Sequence, residues 1–508
     1  MFESKRGCVL AVLAGLWLGG CEPGSALQTD PGAAGSDVRA TSEAELQRAV
    51  VPGKELVITD RSVLESPVET TFDPAHPDGL SPQGAWSFGR LVHNMLPRGQ
   101  RGDARAASRF TVQWLKSWES AQSPSTSVRA SAPRATMRTV VLEPWKLASG
   151  CSAGPESDDT CVLDFRRAPF QLIAIVNRPD LRIVAGDDTA IGGEGRFVFQ
   201  AVGPTLSQTP EGMTFIADAT PTPQKLTVIF EYSLPVSHRF ETLLWAQRWH
   251  LLGALPFGPA YNALLRTVTA GFSGPDMDLR RPNGSALNQL RTNEVALLGS
   301  RTVSPSLPPQ IWELREFHLS RETGLLQQHT VNLEPSREFD LPPRGTLERS
   351  QQLAEVLLAN RDAVLSNTHR LPPEMLANST LVGTGLPAWG SGGTFTTADG
   401  RTVDPALRTA FALNTCGGCH RHETDTRHTP ERAATTGTFL HLTNPRALDT
   451  VDRPADLDHT SLSAFLRSEI AAPTPERPLG GPRYADFTQL LRMQPQDVCN
   501  ATGLRVCG

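Results

Sequence analysis

The chain has 508 residues, 48 basic and 53 acidic side chains and a formal net charge of −5. Mild acidity without a basic block excludes a cationic surface for nucleic acid, and only five of the cations are lysine, a skew of base composition rather than a binding code. The length allows two to four domains, and 42 glycines with 41 prolines predict many turns and long irregular connections.

The N-terminus reads as an export signal. Lys5 and Arg6 precede an apolar run from Val9 to Leu18, shorter than a membrane-spanning helix, which ends in Leu18-Gly19-Gly20-Cys21. Small residues before a cysteine look like a bacterial lipobox. Residues 1–20 are therefore expected to leave as a lipoprotein signal peptide and Cys21 to carry the lipid. No later stretch is apolar over the length of a span, so this lipid is the expected membrane attachment. Residues 21–45, rich in Gly, Ala, Ser and Asp, read as a flexible tether. Together these features place the protein in the bacterial cell envelope, on the periplasmic or outer-membrane face.

Residues 46–161 read as a mixed N-terminal region. Glu55–Thr59 is a brief strand. Phe88, Leu91, Val92 and Met95 have helical spacing within Trp86–Leu96, which Pro97 closes, and Phe110–Trp118 is a second helix. Cys151 and Cys161 bracket a polar, acidic loop and are expected to form a disulfide.

Residues 162–344 read as a central α+β body. Phe170–Val176, Arg196–Val202 and Leu226–Tyr232 are predicted strands. Arg239–Leu252 is a helix with Phe240, Leu243, Leu244 and Leu251 facing inward, and Tyr261–Thr269 is another. Ile311–Leu319 and Leu325–Leu333 flank Glu322-Thr323-Gly324 as a hairpin. The polar clusters Asn283–Ser285 and Arg291–Glu294 read as solvated loops. Strands, then helices, then strands predict a largely antiparallel sheet.

Residues 345–508 read as mostly helical. Thr346–Leu365 is a single helix with a stripe of Leu347, Ala354, Leu358 and Leu365. Asp404-Pro405 is an N-cap followed by a first-turn proline, and that helix runs through Leu407, Phe411 and Leu413 into Cys416. Short helices at Leu462–Arg467 and Phe487–Met493 follow. Cys499 and Cys507 close a short loop and are expected to pair.

Cys416-Gly417-Gly418-Cys419-His420 is the attachment pattern of c-type haem. Each thiol adds to one porphyrin vinyl group, and the following histidine lies beneath the ring as the proximal iron ligand. The segment 345–508 resembles a cytochrome c-type haem domain. Asn414–His420, with Glu423-Thr424 and Phe439-Leu440-His441, resembles a pattern in bacterial lipoproteins without an established activity. The resemblance implies one covalent haem c held by Cys416, Cys419 and His420 in a C-terminal cytochrome c-like domain. It also implies electron transfer or redox sensing with a partner redox protein, an electron carrier rather than a catalyst. For the sixth iron ligand, His441 in the apolar setting of Phe439, Leu440 and Leu442 is favoured over Met493.

The same residues allow other chemistry. Cys416, Cys419, one of His420, His422 or His428, and His441 could hold zinc tetrahedrally. Cys416 and Cys419 could instead form a structural disulfide. In either case the chain would be a non-enzymatic envelope binding or structural lipoprotein. A di-haem peroxidase needs two such motifs and this chain has one; it also lacks His-Glu-x-x-His.

Overall fold

The computed structural model describes residues 48–77, 81–134, 136–182, 191–203, 206–209, 212–215, 222–235, 239–295, 312–340, 342, 345–382, 394–422, 441–443 and 459–493. The expected signal peptide, Cys21, the tether, His428, Cys499 and Cys507 lie outside these residues. From Ala49 onward the chain is one compact unit.

An antiparallel sheet organises that unit. In chain order its strands are β1 (Val57–Ile58), β2 (Phe170–Arg178) and β3 (Ile191–Gly203). The ribbon of β4 (Leu206–Thr209) and β5 (Gly212–Phe215) intervenes. Then come β6 (Thr222–Pro235), β7 (Leu287–Val295), β8 (Trp312–Leu319), β9 (Leu326–His329) and β10 (Thr380–Val382). The spatial order is β1-β2-β3-β6-β7-β8-β10, with β9 also paired to β8. β10 pairs with Trp312–Leu314 and β9 with Glu316–Leu319, so both share the outer side of β8. The protein is α+β, and its sheet takes strands from Val57 through to Val382.

The sheet has two unlike faces. Alternate residues of a strand point the same way. Phe197 and Phe199 of β3, Phe230 and Tyr232 of β6, and Phe317 of β8 make one face aromatic. Helix Phe88–Met95 packs on it through Phe88, whose ring lies 4.2 Å from Phe170 and 5.6 Å from Phe230. Helix Ala104–Lys116 adds Trp114, 6.2 Å from Phe317. Helix Pro259–Ser273 adds Phe272, 5.7 Å from Phe197. Burying each such ring contributes about 2–3 kcal/mol. Gly195 lets the last helix approach, because a Cβ there would lie 2.4 Å from the Phe272 ring.

Several sequence expectations change at this level. The second helix begins at Ala104, ahead of Phe110, because the Asp103 carboxylate accepts from the Arg105 and Ala106 amides. Helix Arg239–Leu252 buries Leu243, Trp245, Ala246, Trp249 and Leu252 and exposes Leu251, since it packs on both β3 and helix Pro482–Arg492. The single helix expected over 346–365 breaks at Asn360 into Leu347–Ala359 and Arg361–Leu365. Its buried residues are Ser350, Leu353, Ala354 and Leu357, and Leu347 and Leu365 are exposed. That stripe serves a smaller apolar cluster with Phe339, Val364 and Phe411. Arg291–Glu294, expected as a solvated loop, lies in the central strand β7. Among the described residues no helix is long and apolar enough to cross a membrane.

Candidate metal centre

Helix Pro405–Asn414 delivers the cysteine turn. Asp404 Oδ1 accepts from the Leu407 amide at 2.9 Å, Pro405 occupies the first turn, and Leu407 and Phe411 anchor the helix in the smaller core. The chain reverses at Thr415, whose Oγ1 donates to Ala412 O at 2.8 Å and accepts from Gly418 N at 3.0 Å. A Cβ at Gly418 would lie 2.1 Å from Ala412 O, so the turn requires glycine there for its own closure. Gly417 N donates to Glu334 Oε2 at 3.1 Å. Burial pushes the Glu334 carboxyl up to about 7, against the lowering pull of the Gly417 and Cys416 amides.

The turn rests on β8. Cys416 packs, partly buried, against Trp312, Leu314 and Val331. The buried His420 ring stacks on Trp312 with centres 4.4 Å apart and planes at 28°. His441 comes from a separate segment, fixed by the antiparallel pair Leu442–Thr443 with Ser461–Leu462. Its Nε2 lies 3.4 Å from Cys419 Sγ, its Nδ1 lies 2.8 Å from Ser463 Oγ, and its ring centre is 4.4 Å from that of His420. Ser463 Oγ also accepts from Leu466 N at 3.1 Å as the cap of helix Ala464–Glu469. Oγ has a second lone pair that can accept from Nδ1–H, the tautomer in which His441 Nε2 is the unprotonated nitrogen.

Beneath the cluster, the second face of the sheet is charged. Arg196 reaches Glu194 at 2.6 Å and Glu231 at 3.3 Å; Arg291 reaches Glu231 at 3.5 Å and Glu316 at 2.8 Å; His318 reaches Glu316 at 2.8 Å. Arg196 opposes Glu231 and Arg291 opposes Glu316 across neighbouring strands, so these groups form a ladder on one face. Burial pushes the Cys416 thiol well up, with Arg291 pulling the other way. Burial also pushes Cys419 up to about 11 despite Arg483 and Arg178 nearby. It holds His441 well below the ordinary histidine range, helped by His420, Arg483 and Arg178. Without a metal these are neutral thiols beside a neutral imidazole, with Cys419 Sγ and His441 Nε2 in hydrogen-bond contact.

One edge of this cluster has the length expected around a bound ion, although among the described residues no three of its four donors lie within 4.8 Å of one another. Metal–sulfur bonds of about 2.3 Å and metal–nitrogen bonds of about 2.0–2.1 Å put sulfur and nitrogen about 3.6 Å apart on a tetrahedral edge, close to the 3.4 Å observed. A haem iron between His420 and His441 would hold their ring centres about 6 Å apart, taking about 2 Å for each metal–nitrogen bond. The observed 4.4 Å is shorter than this, and shorter also than the roughly 5 Å that a tetrahedral ion held by both imidazoles would give, so it selects neither group.

The remaining sequence candidates are placed as follows. Cys416 and Cys419 are free thiols, and Cys151 is bonded to Cys161 with an S–S distance of 2.05 Å. Met493 follows helix Pro482–Arg492 and packs on the main core. His422 ends the turn Gly418–His422. Sequence reasoning passed over Trp312, Glu334 and Ser463, which support the motif from distant positions. It also passed over Glu316, His318 and His329, whose ligand atoms lie within 4.8 Å of one another. Their signal was Glu-x-His on a predicted strand, which puts both side chains on one face, followed by a hairpin that returns His329.

Comparison with protein families, curated proteins and solved structures returns no match to this chain. The likeness to a cytochrome c domain therefore rests on the motif alone.

Proposed function

We propose that the protein is a metal-binding lipoprotein of the bacterial cell envelope in which Cys416, Cys419, His420 and His441 hold one ion, zinc by the softness of the donors. His441 carries the reading: its segment is anchored apart from the cysteine turn, yet its Nε2 lies 3.4 Å from Cys419 Sγ while Ser463 takes the other nitrogen. A hydrogen-bond partner on the non-ligating nitrogen is the usual support of a metal-binding histidine. Four protein ligands with no open position would make a structural site, and the donors would close up around the ion on binding, since among the described residues no three of them lie within 4.8 Å of one another. The ion would tie the His441 segment and helix Pro405–Asn414 to Trp312, and the protein would act as a non-enzymatic binding or structural component. Cys21 and the tether at 21–45 would hold it at the membrane. Cys21→Ser should move the protein from the membrane fraction to the soluble one, and a wild-type protein found wholly soluble would remove the anchor from this reading.

A second reading is one covalent haem c, with 345–508 as a mostly helical cytochrome c-like domain serving electron transfer or redox sensing with a partner redox protein. It is favoured by the capped helix that presents Cys-x-x-Cys-His as one turn. It requires His441 to leave Cys419, with Met493 or an open position on the distal side. Purification of the full chain from a host with haem-attachment machinery separates the two. The zinc reading expects one zinc per chain, lost in Cys416→Ser, and no Soret band. A Soret band that survives acid–acetone extraction overturns it in favour of haem, and absence of both metal and haem overturns both.

A further inference from the structure

β8 carries more than the cysteine turn. Every second residue from its start shares a face, so Trp312, Leu314, Glu316 and His318 line up together. The first two support Cys416 and His420. The latter two meet His329, which β9 places directly opposite Glu316. We propose that Glu316, His318 and His329 form a second metal site, separate from the Cys/His centre, for a divalent first-row transition ion.

The donor set is two imidazoles and one carboxylate, with ligand atoms within 4.8 Å of one another. Such a trio suits zinc, cobalt or iron(II) and leaves coordination positions open. The carboxylate is prepared for the role. Glu316 is buried, and its Oε2 is occupied by Arg291 Nε at 2.9 Å, Arg291 Nη2 at 2.8 Å and the Asn332 amide at 3.2 Å. Oε1 is left facing His318 Nε2 at 2.8 Å. His329 Nδ1 lies 3.1 Å from Thr330 O, which favours the proton on Nδ1 and leaves Nε2 as the donor. The two imidazoles are adjacent, with ring centres 4.3 Å apart. The His318 side chain is 35% exposed and His329 is exposed, so an ion can enter from solvent and keep water in its open positions.

Cobalt(II) titration of the metal-free full chain tests the site. Thiolate ligation gives cobalt an intense charge-transfer absorption, so that band reports cysteine ligands and not this trio. The expected result includes one equivalent bound without thiolate absorption. His318→Ala and His329→Ala should each weaken it by more than the roughly 10–100-fold cost of losing a second-shell partner, with any thiolate band unchanged. Loss of the thiolate band would remove the Cys/His reading and leave this equivalent to be scored by itself. Wild-type protein with no equivalent beyond the thiolate-reported one, or a second equivalent that persists in the doubly substituted protein, would overturn the proposal. His318→Ala also removes the Oε1 partner of Glu316, so His329→Ala, which leaves the Glu316–Arg291 and Glu316–His318 contacts in place, is the deciding variant.

Discussion

At the scale of single residues, Ser463 joins the candidate metal centre to the fold. Its hydroxyl oxygen serves His441 Nδ1 at 2.8 Å and the Leu466 amide at 3.1 Å. Ser463→Ala removes both. The lost helix cap should cost about 1 kcal/mol of stability, and the freed imidazole should lower metal affinity by roughly 10–100-fold. Competition with a chromophoric chelator measures the second effect and urea unfolding the first. Ser463→Asp retains an acceptor for both donors and should restore much of each, whereas equal metal affinity in wild type and Ser463→Ala would show that His441 is not a ligand.

At the scale of elements, the loop closed by Cys151–Cys161 is held twice. The disulfide spans a separation of 10 residues, and a loop of that size contributes roughly 2–3 kcal/mol by chain entropy. Inside it Asp158 is buried and accepts from Arg138 at 2.7 Å and Lys146 at 2.7 Å, with Lys116 at 3.1 Å. Burial raises the carboxyl, but the hydrogen bonds from Arg138, Lys146 and Lys116 outweigh it and hold the group well below its ordinary value of 3.8. A lowered carboxyl contributes stability that is present above the unfolded value and is lost as pH falls through the folded one. Asp158→Asn should therefore cost about 3 kcal/mol at neutral pH, the low end for breaking a buried pair. The gap from wild type should close progressively below about pH 4. Chemical unfolding from pH 7 to 2 checks this, and a gap independent of pH would mean that the charge of Asp158 does not stabilise the loop.

At the scale of the whole molecule, the segment carrying the cysteine motif is not self-contained. β10 pairs with β8, helix Pro482–Arg492 packs on helix Arg239–Leu252, Arg182 donates to Asp486 at 2.6 Å, and His420 stacks on Trp312. A fragment of residues 345–508 would lose each of these partners and expose its share of the core. It should show little far-UV helical signal and rapid proteolysis, whereas a chain starting near residue 46 should stay folded. A cooperatively unfolding 345–508 fragment would show instead that the helical segment is an independent domain that only docks on the sheet.

Local chemistry made part of this protein legible from its sequence. A near-continuous apolar run marked β2, strand-like stretches marked β3 and β6, the Glu322-Thr323-Gly324 turn marked the β8–β9 hairpin, and Asp404-Pro405 marked the helix that leads to Cys416, because each signal is confined to neighbouring residues. The spacing of Cys416, Cys419 and His420 pointed to a cofactor or metal on the same grounds. Other features depended on partners far along the chain. β7 was hidden because Arg291 looks solvated until Glu231 and Glu316 are brought beside it to satisfy its charge, and Glu294 until folding buries its carboxyl and pushes it well up. The trio Glu316, His318 and His329 exists only once the hairpin register sets His329 opposite Glu316. The choice between ligands at the cysteine turn likewise waited on tertiary structure. Sequence spacing cannot say that Ser463 turns His441 toward Cys419, or that Trp312 lies under His420, since both contacts are made by folding and not by proximity in the chain.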